Sequence, residues 1–460
     1  MRTTAVLLIS FLAASVVSAQ TPAPSVAGSW EGAIDAMGTR LRIGVAVTRQ
    51  PDGTLTATMD SPDQGAYGLP LSGVTFAGGV FRFVLKAANG SFEGKLNDAG
   101  SEIAGTWQQA LVVLPLTLKK VDKLSRPGRP QEPKPPFPYR SEDVTVANAA
   151  ANVKLAGTLT LPDGPGPFPA VVFITGSGPQ NRDEELLGHK PFLVLADYLT
   201  RRGIAVLRYD DRGIGTSTGD FGAATSEDFA GDALAAWAVL RERKEIDPRR
   251  IGLLGHSEGA LIAPMLAART PGIAFVVMLA GPGVSGEQIM LKQGALIMKA
   301  NGAPDEAIAA NIDLQKQVFT ILREETVPAR IVERLSAIPV PGPKEASAAL
   351  VKQSSSPWLR YFALYDPAPA LEKVTCPVLA MGGELDLQVP VDQNLPVIEA
   401  ALKKGGNKDY SVIRLPGLNH LFQTCKKGTP GEYVQIEETM SPVALDTIAT
   451  WVRKRTGLDT

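Results

Sequence analysis

Five near-continuous apolar runs constrain this chain more than any other feature. They are residues 170–174 (Ala-Val-Val-Phe-Ile), 205–207 (Ala-Val-Leu), 251–254 (Ile-Gly-Leu-Leu), 275–279 (Phe-Val-Val-Met-Leu) and 378–381 (Val-Leu-Ala-Met). None shows the polar alternation of a strand with one wet face, so each reads as a strand of a parallel sheet buried on both faces. Helical patterns lie between them at 191–202, 226–244 and 259–269. That alternation predicts a doubly wound α/β domain over residues 141–460. Two alternating segments, 144–146 and 155–161, precede the runs and suit an antiparallel edge. The interval 285–370 breaks the rhythm, with amphipathic helical patterns such as 305–325 and no strand. A helical insertion between parallel strands cannot join the sheet. It is expected as a cap over the strands' C-terminal edge, where α/β folds bind ligands.

The chain ahead of this domain reads differently. Residues 25–122 are short alternating segments broken by turn residues such as Pro51-Asp52-Gly53 and Asn97-Asp98-Ala99-Gly100. They predict a small all-β domain, a barrel or sandwich of six to eight strands. Trp30 and Trp107 each follow a small residue near one end of it and are expected to plug its core. Residues 123–140 carry Pro127, Pro130, Pro133, Pro135, Pro136 and Pro138 among charged residues, the composition of a semi-rigid Pro-rich linker. Residues 1–19 have a basic start, an apolar stretch from Ala5 to Val17 and the small-residue site Val17-Ser18-Ala19. This is the pattern of an export signal peptide, predicting a periplasmic or extracellular protein, and a 13-residue stretch is too short to span a bilayer.

Composition excludes several classes of function. With 46 basic and 47 acidic residues there is no positive excess to hold a nucleic acid. Three histidines and two cysteines cannot build a multi-ligand zinc site or a disulfide scaffold. Cys376 opens the strand that ends near Asp386, whereas Cys425 lies past His420. A strand of that length rises roughly 17 Å, well beyond disulfide reach, so free, mostly buried thiols are expected.

Any histidine doing chemistry is therefore His189, His256 or His420. The pattern Gly-x-Ser-x-Gly occurs at 215–219 and at 255–259. Only the second has a strand before it (251–254) and a helix after it (260–266). A serine nucleophile needs that setting, because the glycines permit a sharp turn and the helix start aims N–H groups at a developing oxyanion. Ser257 is the candidate nucleophile and Ser217 a loop residue. A serine needs a base, and the base an orienting carboxylate. Asp386 follows the strand at 378–381, and His420 lies in the loop after a strand at 412–415. Glu384 competes with Asp386, which is preferred because it lies deeper in the turn that must reach His420. The N–H groups of Glu258 and of Ser177, in the glycine loop 175–179, are the expected oxyanion donors. His256 is expected to pack beneath the turn and His189 near a helix start.

Gly-His-Ser-Glu-Gly at 255–259, Asp211-Arg212-Gly213, Gly383-Glu384-x-Asp386 and Asn419-His420 together resemble the α/β-hydrolase superfamily over residues 141–460. Within it the chain is similar to exported bacterial dienelactone-hydrolase-like and prolyl-oligopeptidase-like esterases. The resemblance implies a serine esterase acting on a small-molecule carboxylic ester through an acyl-enzyme, without cofactor or metal. A serine peptidase or aminopeptidase of the same fold is the alternative. True dienelactone hydrolases use cysteine, so their substrate is not carried over, and the N-terminal unit is too short to be a propeller.

Overall fold

The computed structural model describes residues 25–36, 39–64, 66–109, 112–125, 127–340 and 344–458. The expected export signal lies outside the described residues. The chain divides into two compact units, one ending at Ser125 and the other running from residue 126 to the C-terminus, with the short segment Asp63–Gly65 grouped with the second.

The first unit is one antiparallel sheet of β1 (Gly28–Ala36), β2 (Thr39–Arg49), β3 (Leu55–Ser61), β4 (Ala66–Pro70), β5 (Ser72–Ala77), β6 (Val80–Leu85), β7 (Gly90–Leu96), β8 (Glu102–Gln109) and β9 (Val112–Val121). The order β4-β3-β2-β1-β9-β8-β7-β6-β5 leaves β4 and β5 at its two edges, and the Leu71 N–H donates to the Ala57 carbonyl at 3.0 Å, nearly closing it. Nine strands form where six to eight were expected, because only Leu71 separates the short β4 and β5. Alternating residues of β6 and β7 point inward, with Phe81, Phe83 and Phe92 buried beside Trp107. Trp30 is fully buried, and its indole N–H donates to the Val26 carbonyl at 2.8 Å. Both tryptophans fill the core.

The second unit is an α/β-hydrolase sheet of eight strands: β10 (Arg140–Asn148), β11 (Val153–Leu161), β12 (Phe168–Ile174), β13 (Ala205–Tyr209), β14 (Ile246–His256), β15 (Val276–Leu279), β16 (Val378–Gly383) and β17 (Tyr410–Leu415). Their order is β10-β11-β13-β12-β14-β15-β16-β17, antiparallel at β10 and β11 and parallel from β13 onward. Successive residues of β12 feed opposite layers. Ala170, Val172 and Ile174 pack with α2 (Ser226–Arg241) and α3 (Glu258–Ala267), whereas Val171 and Phe173 pack with α1 (Pro191–Thr200). Double burial is why the run has no polar residue.

Between β15 and β16 lie α4 (Gly286–Ala300), α5 (Asp305–Glu324), α6 (Pro328–Ser336), α7 (Lys344–Ser354), α8 (Pro357–Leu364) and α9 (Ala368–Leu371), the helical cap. It has a core of its own, with Phe319, Leu322, Ile331, Leu335 and Leu359. The sheet is completed by α10 (Val391–Lys404) and, after α11 (Pro430–Tyr433), by α12 (Pro442–Arg455) against the α1 layer. No helix among the described residues is long and apolar enough to cross a membrane.

The proline-rich segment packs on this second unit through polar side chains that its composition did not announce. The Arg129 guanidinium donates to the carbonyls of Leu187, Gly188, Val434 and Ile436. Gln131 bonds the backbone of Thr439 and Met440 in both directions. These contacts tie residues 129–131 to the hydrolase unit.

Candidate active site

Ser257 sits between β14 and α3 with φ 52° and ψ −115°, a left-handed conformation strained for serine. Neighbouring glycines make the turn possible. A Cβ on Gly255 would lie 2.0 Å from the Gly259 carbonyl, and one on Gly259 would lie 2.0 Å from the Ile174 oxygen. The Ser257 N–H is fixed on the Leu279 carbonyl at 2.8 Å. The hydroxyl therefore stands at the C-terminal edge of the sheet, at the start of α3. Ser217 differs, being buried with its hydroxyl donating to the Asp210 carbonyl and accepting from the Ala156 N–H, both at 2.9 Å.

Asp386 and His420 are brought together. Asp386 Oδ2 lies 2.8 Å from His420 Nδ1, and both side chains are buried. The other oxygen, Oδ1, accepts the N–H groups of Gln388 and Val389 at 2.8 Å each. A carboxylate fixed this way keeps the proton of a neutral imidazole on Nδ1 and leaves Nε2, on the far side of the ring, as the basic nitrogen. Glu384 is exposed and receives only a 3.4 Å contact from the Gly417 N–H. It does not reach the histidine.

The loop after β12, residues 175–184, is held by three carboxylates. The Asp211 oxygens accept the Thr175 hydroxyl at 2.8 Å and the Gln180 N–H at 2.9 Å. Asp210 receives the Arg182 guanidinium at 2.8 and 3.0 Å and its N–H at 2.7 Å. Glu184 Oε1 accepts the Gly176 N–H at 2.8 Å. With Gly176 engaged, the next N–H along is that of Ser177, which has no protein acceptor among the described residues. The Glu258 N–H opens α3, where helix geometry provides no acceptor.

The Glu258 side chain points inward. Its Oε1 accepts the Ser226 hydroxyl at 2.6 Å and the Trp358 indole N–H of α8 at 2.8 Å, linking cap to elbow. Burial pushes its carboxyl up to about 7, against the pull of those two hydrogen bonds. Burial likewise lifts Asp211 to about 7, opposed by the Gln180 and Thr175 bonds and reinforced by the charges of Glu258 and Glu184. Neither the burial of Asp211 nor the role of Glu184 was foreseen. The only sequence signal was a dense polar loop after a buried strand.

The other histidines are internal. His189 is buried among Thr439, the Tyr433 carbonyl and Gln423, and burial lowers it to about 4. His256 lies beneath the elbow between Glu184 and the His420 carbonyl. In the cap, Ile289 is buried, Met290 and Leu291 pack against cap core residues, and Trp358 stacks on Phe362 at 5.2 Å. These apolar side chains hold the cap together.

Several known proteins are similar to this chain. Residues 190–318 match the family described as serine aminopeptidase, S33. Esterase EstD of Thermotoga maritima is 31% identical over 321 residues, covering 69% of each chain. Similar solved structures include an esterase of Pyrococcus furiosus (17% identity, 69% of this chain and 91% of that one, TM-score 0.43). Another is the proline iminopeptidase of Mycobacterium smegmatis (17% identity, 69% of this chain and 100% of that one, TM-score 0.42). By its likeness to EstD, the chain belongs to the α/β-hydrolase family of serine hydrolases.

Proposed function

We propose that this protein hydrolyses carboxylic esters through an acyl-enzyme, with Ser257 as nucleophile, His420 as general base and Asp386 as the orienting acid. The observation that carries the reading is the 2.8 Å contact between His420 Nδ1 and an Asp386 carboxylate whose other oxygen is pinned by two backbone N–H groups. His420 Nε2 takes the Ser257 proton as Oγ bonds to the carbonyl carbon. The resulting oxyanion is met by the N–H groups of Glu258 and Ser177. Collapse expels the alcohol oxygen, which leaves with the proton from His420. Water then attacks the acyl-enzyme by the same route, and the freed acid restores Ser257.

The name of the relative EstD favours an ester over a peptide. The N-terminal pattern adds export to the proposal. A panel of p-nitrophenyl esters beside aminoacyl and prolyl p-nitroanilides tests the substrate class. Any anilide with a higher kcat/KM than the best ester replaces this reading with a peptidase. Ser257→Ala should abolish turnover and fluorophosphonate labelling, while Ser217→Ala retains both; labelling on Ser217 would move the nucleophile.

A further inference from the structure

We propose that Glu184 and His256 are positioning residues, a buried polar strut that ties the oxyanion loop to the loop carrying His420. The inference rests on the proposed ester hydrolysis and goes beyond it. Glu184 Oε1 accepts the Gly176 N–H at 2.8 Å and faces His256 Nδ1 at 2.9 Å. On the opposite side of the ring, His256 Nε2 lies 3.0 Å from the His420 carbonyl oxygen. Gly176 immediately precedes Ser177, and His256 immediately precedes Ser257. One chain of three contacts therefore passes through all three segments that meet the reacting carbonyl.

Chemistry sets the charge state. A carboxylate and a carbonyl are both acceptors, so both ring nitrogens of His256 must carry hydrogen for both contacts to be hydrogen bonds. That makes His256 an imidazolium. Burial opposes the charge, but the Glu184 carboxylate, the bond to the His420 carbonyl and the nearby charge of Asp386 outweigh it and raise His256 above its ordinary value. The His420 ring lies 4.7 Å from that of His256. Only 1% of Glu184 is exposed, and its Oε2 is buried without a partner among the described residues.

Glu184→Gln breaks the strut with little change of volume. A neutral amide oxygen that accepts from Gly176 no longer favours a charged His256. Activity is normalised to Ser257 sites titrated with a fluorophosphonate, so that misfolded protein does not count. The expected result is a fall in kcat of about 10- to 100-fold, somewhat less than deleting an oxyanion donor outright, with KM within about threefold. The Ki of an arylboronic acid, whose tetrahedral adduct carries the anionic oxygen, should rise by the same factor. A kcat per site within threefold of wild type, or an unchanged boronate Ki, would overturn the strut. If the variant fails to fold, the wild-type protein decides. With three histidines in the chain, ¹⁵N-histidine spectra followed with pH should show His256 keeping both ring N–H signals above the ordinary histidine value of 6.5. A His256 that becomes neutral at or below that value also overturns the proposal. Loss of the esterase reading itself would appear separately, as turnover surviving Ser257→Ala.

Discussion

In an Asp386→Asn variant the two side-chain oxygens cease to be equivalent, and the structure decides which becomes nitrogen. Oδ1 accepts two buried N–H groups, from Gln388 and Val389, at 2.8 Å each. Turning the amide nitrogen toward them would strand both donors, at about 1–3 kcal/mol apiece. The asparagine oxygen therefore stays in the turn, and its NH2 faces His420 Nδ1. Two donors cannot share that contact, so Nδ1 must become the acceptor. The ring proton then moves to Nε2, the atom proposed to accept the Ser257 proton. Locking the wrong tautomer costs on the order of 10⁴-fold in kcat, or about 5 kcal/mol of transition-state stabilisation, in triads of this type. Glu384→Gln removes only an exposed side chain with one long contact and should stay within about threefold. The assay is kcat on a p-nitrophenyl ester for both variants, after circular dichroism shows each folded. An Asp386→Asn enzyme within tenfold of wild type, or a larger loss for Glu384→Gln, refutes the assignment.

Two further predictions concern pH and thiols. Burial raises Glu258 and Asp211 to about 7 from the ordinary 4.5 and 3.8, so the fold favours their neutral forms. The stability they add is complete below those ordinary values and is lost as pH rises through about 7, on the order of 3 kcal/mol for Glu258 alone. The Tm should fall between pH 5 and 8, and Glu258→Gln, which keeps an oxygen for Ser226 and Trp358, should flatten that slope; a wild-type Tm constant over this range would contradict the burial argument. Cys376 and Cys425 are free and only half-buried, less so than expected, and burial pushes both thiols up to about 11. Both should resist alkylation in the native protein at pH 7 and titrate as two thiols after denaturation without reductant, whereas zero thiols would mean a disulfide.

Much of the hydrolase unit was legible because burial on both sheet faces leaves a mark no loop imitates. The run at 170–174 is apolar throughout since alternate residues enter different layers. The candidate triad was legible for a related reason. Each member follows a strand end, and the scarcity of histidine left few assignments to weigh. The loop 175–184 was opaque. Its Gln-Asn-Arg-Asp-Glu stretch reads as a solvated turn, because charge in a loop is ordinarily exposed. Only the folded chain reveals that Glu184 is buried against Gly176 and His256. Arg129 was hidden in the same way, its composition matching a linker while its side chain reaches four carbonyls of the hydrolase unit.

The acidic residues around that loop share one physical logic. Asp210, Asp211 and Glu184 each accept at least one loop N–H, and each does so from a buried or nearly buried position. A loop fastened by such bonds loses its conformational freedom when the protein folds, not when a transition state forms. Donors that need no reorganisation at the moment of reaction are the ones that stabilise developing charge most. The anchors also carry a penalty, since a buried carboxylate without its N–H partner would destabilise the fold. Anchor and donor are therefore coupled. A change at Gly176 or Glu184 that frees the loop should weaken oxyanion binding even though neither residue is a proposed oxyanion donor, whereas Asp386→Asn leaves the loop intact and holds the base in the wrong tautomer. The two classes of variant thus separate on the fold-rise in boronate Ki divided by the fold-loss in kcat: near unity for the loop anchors, and far smaller for the acid.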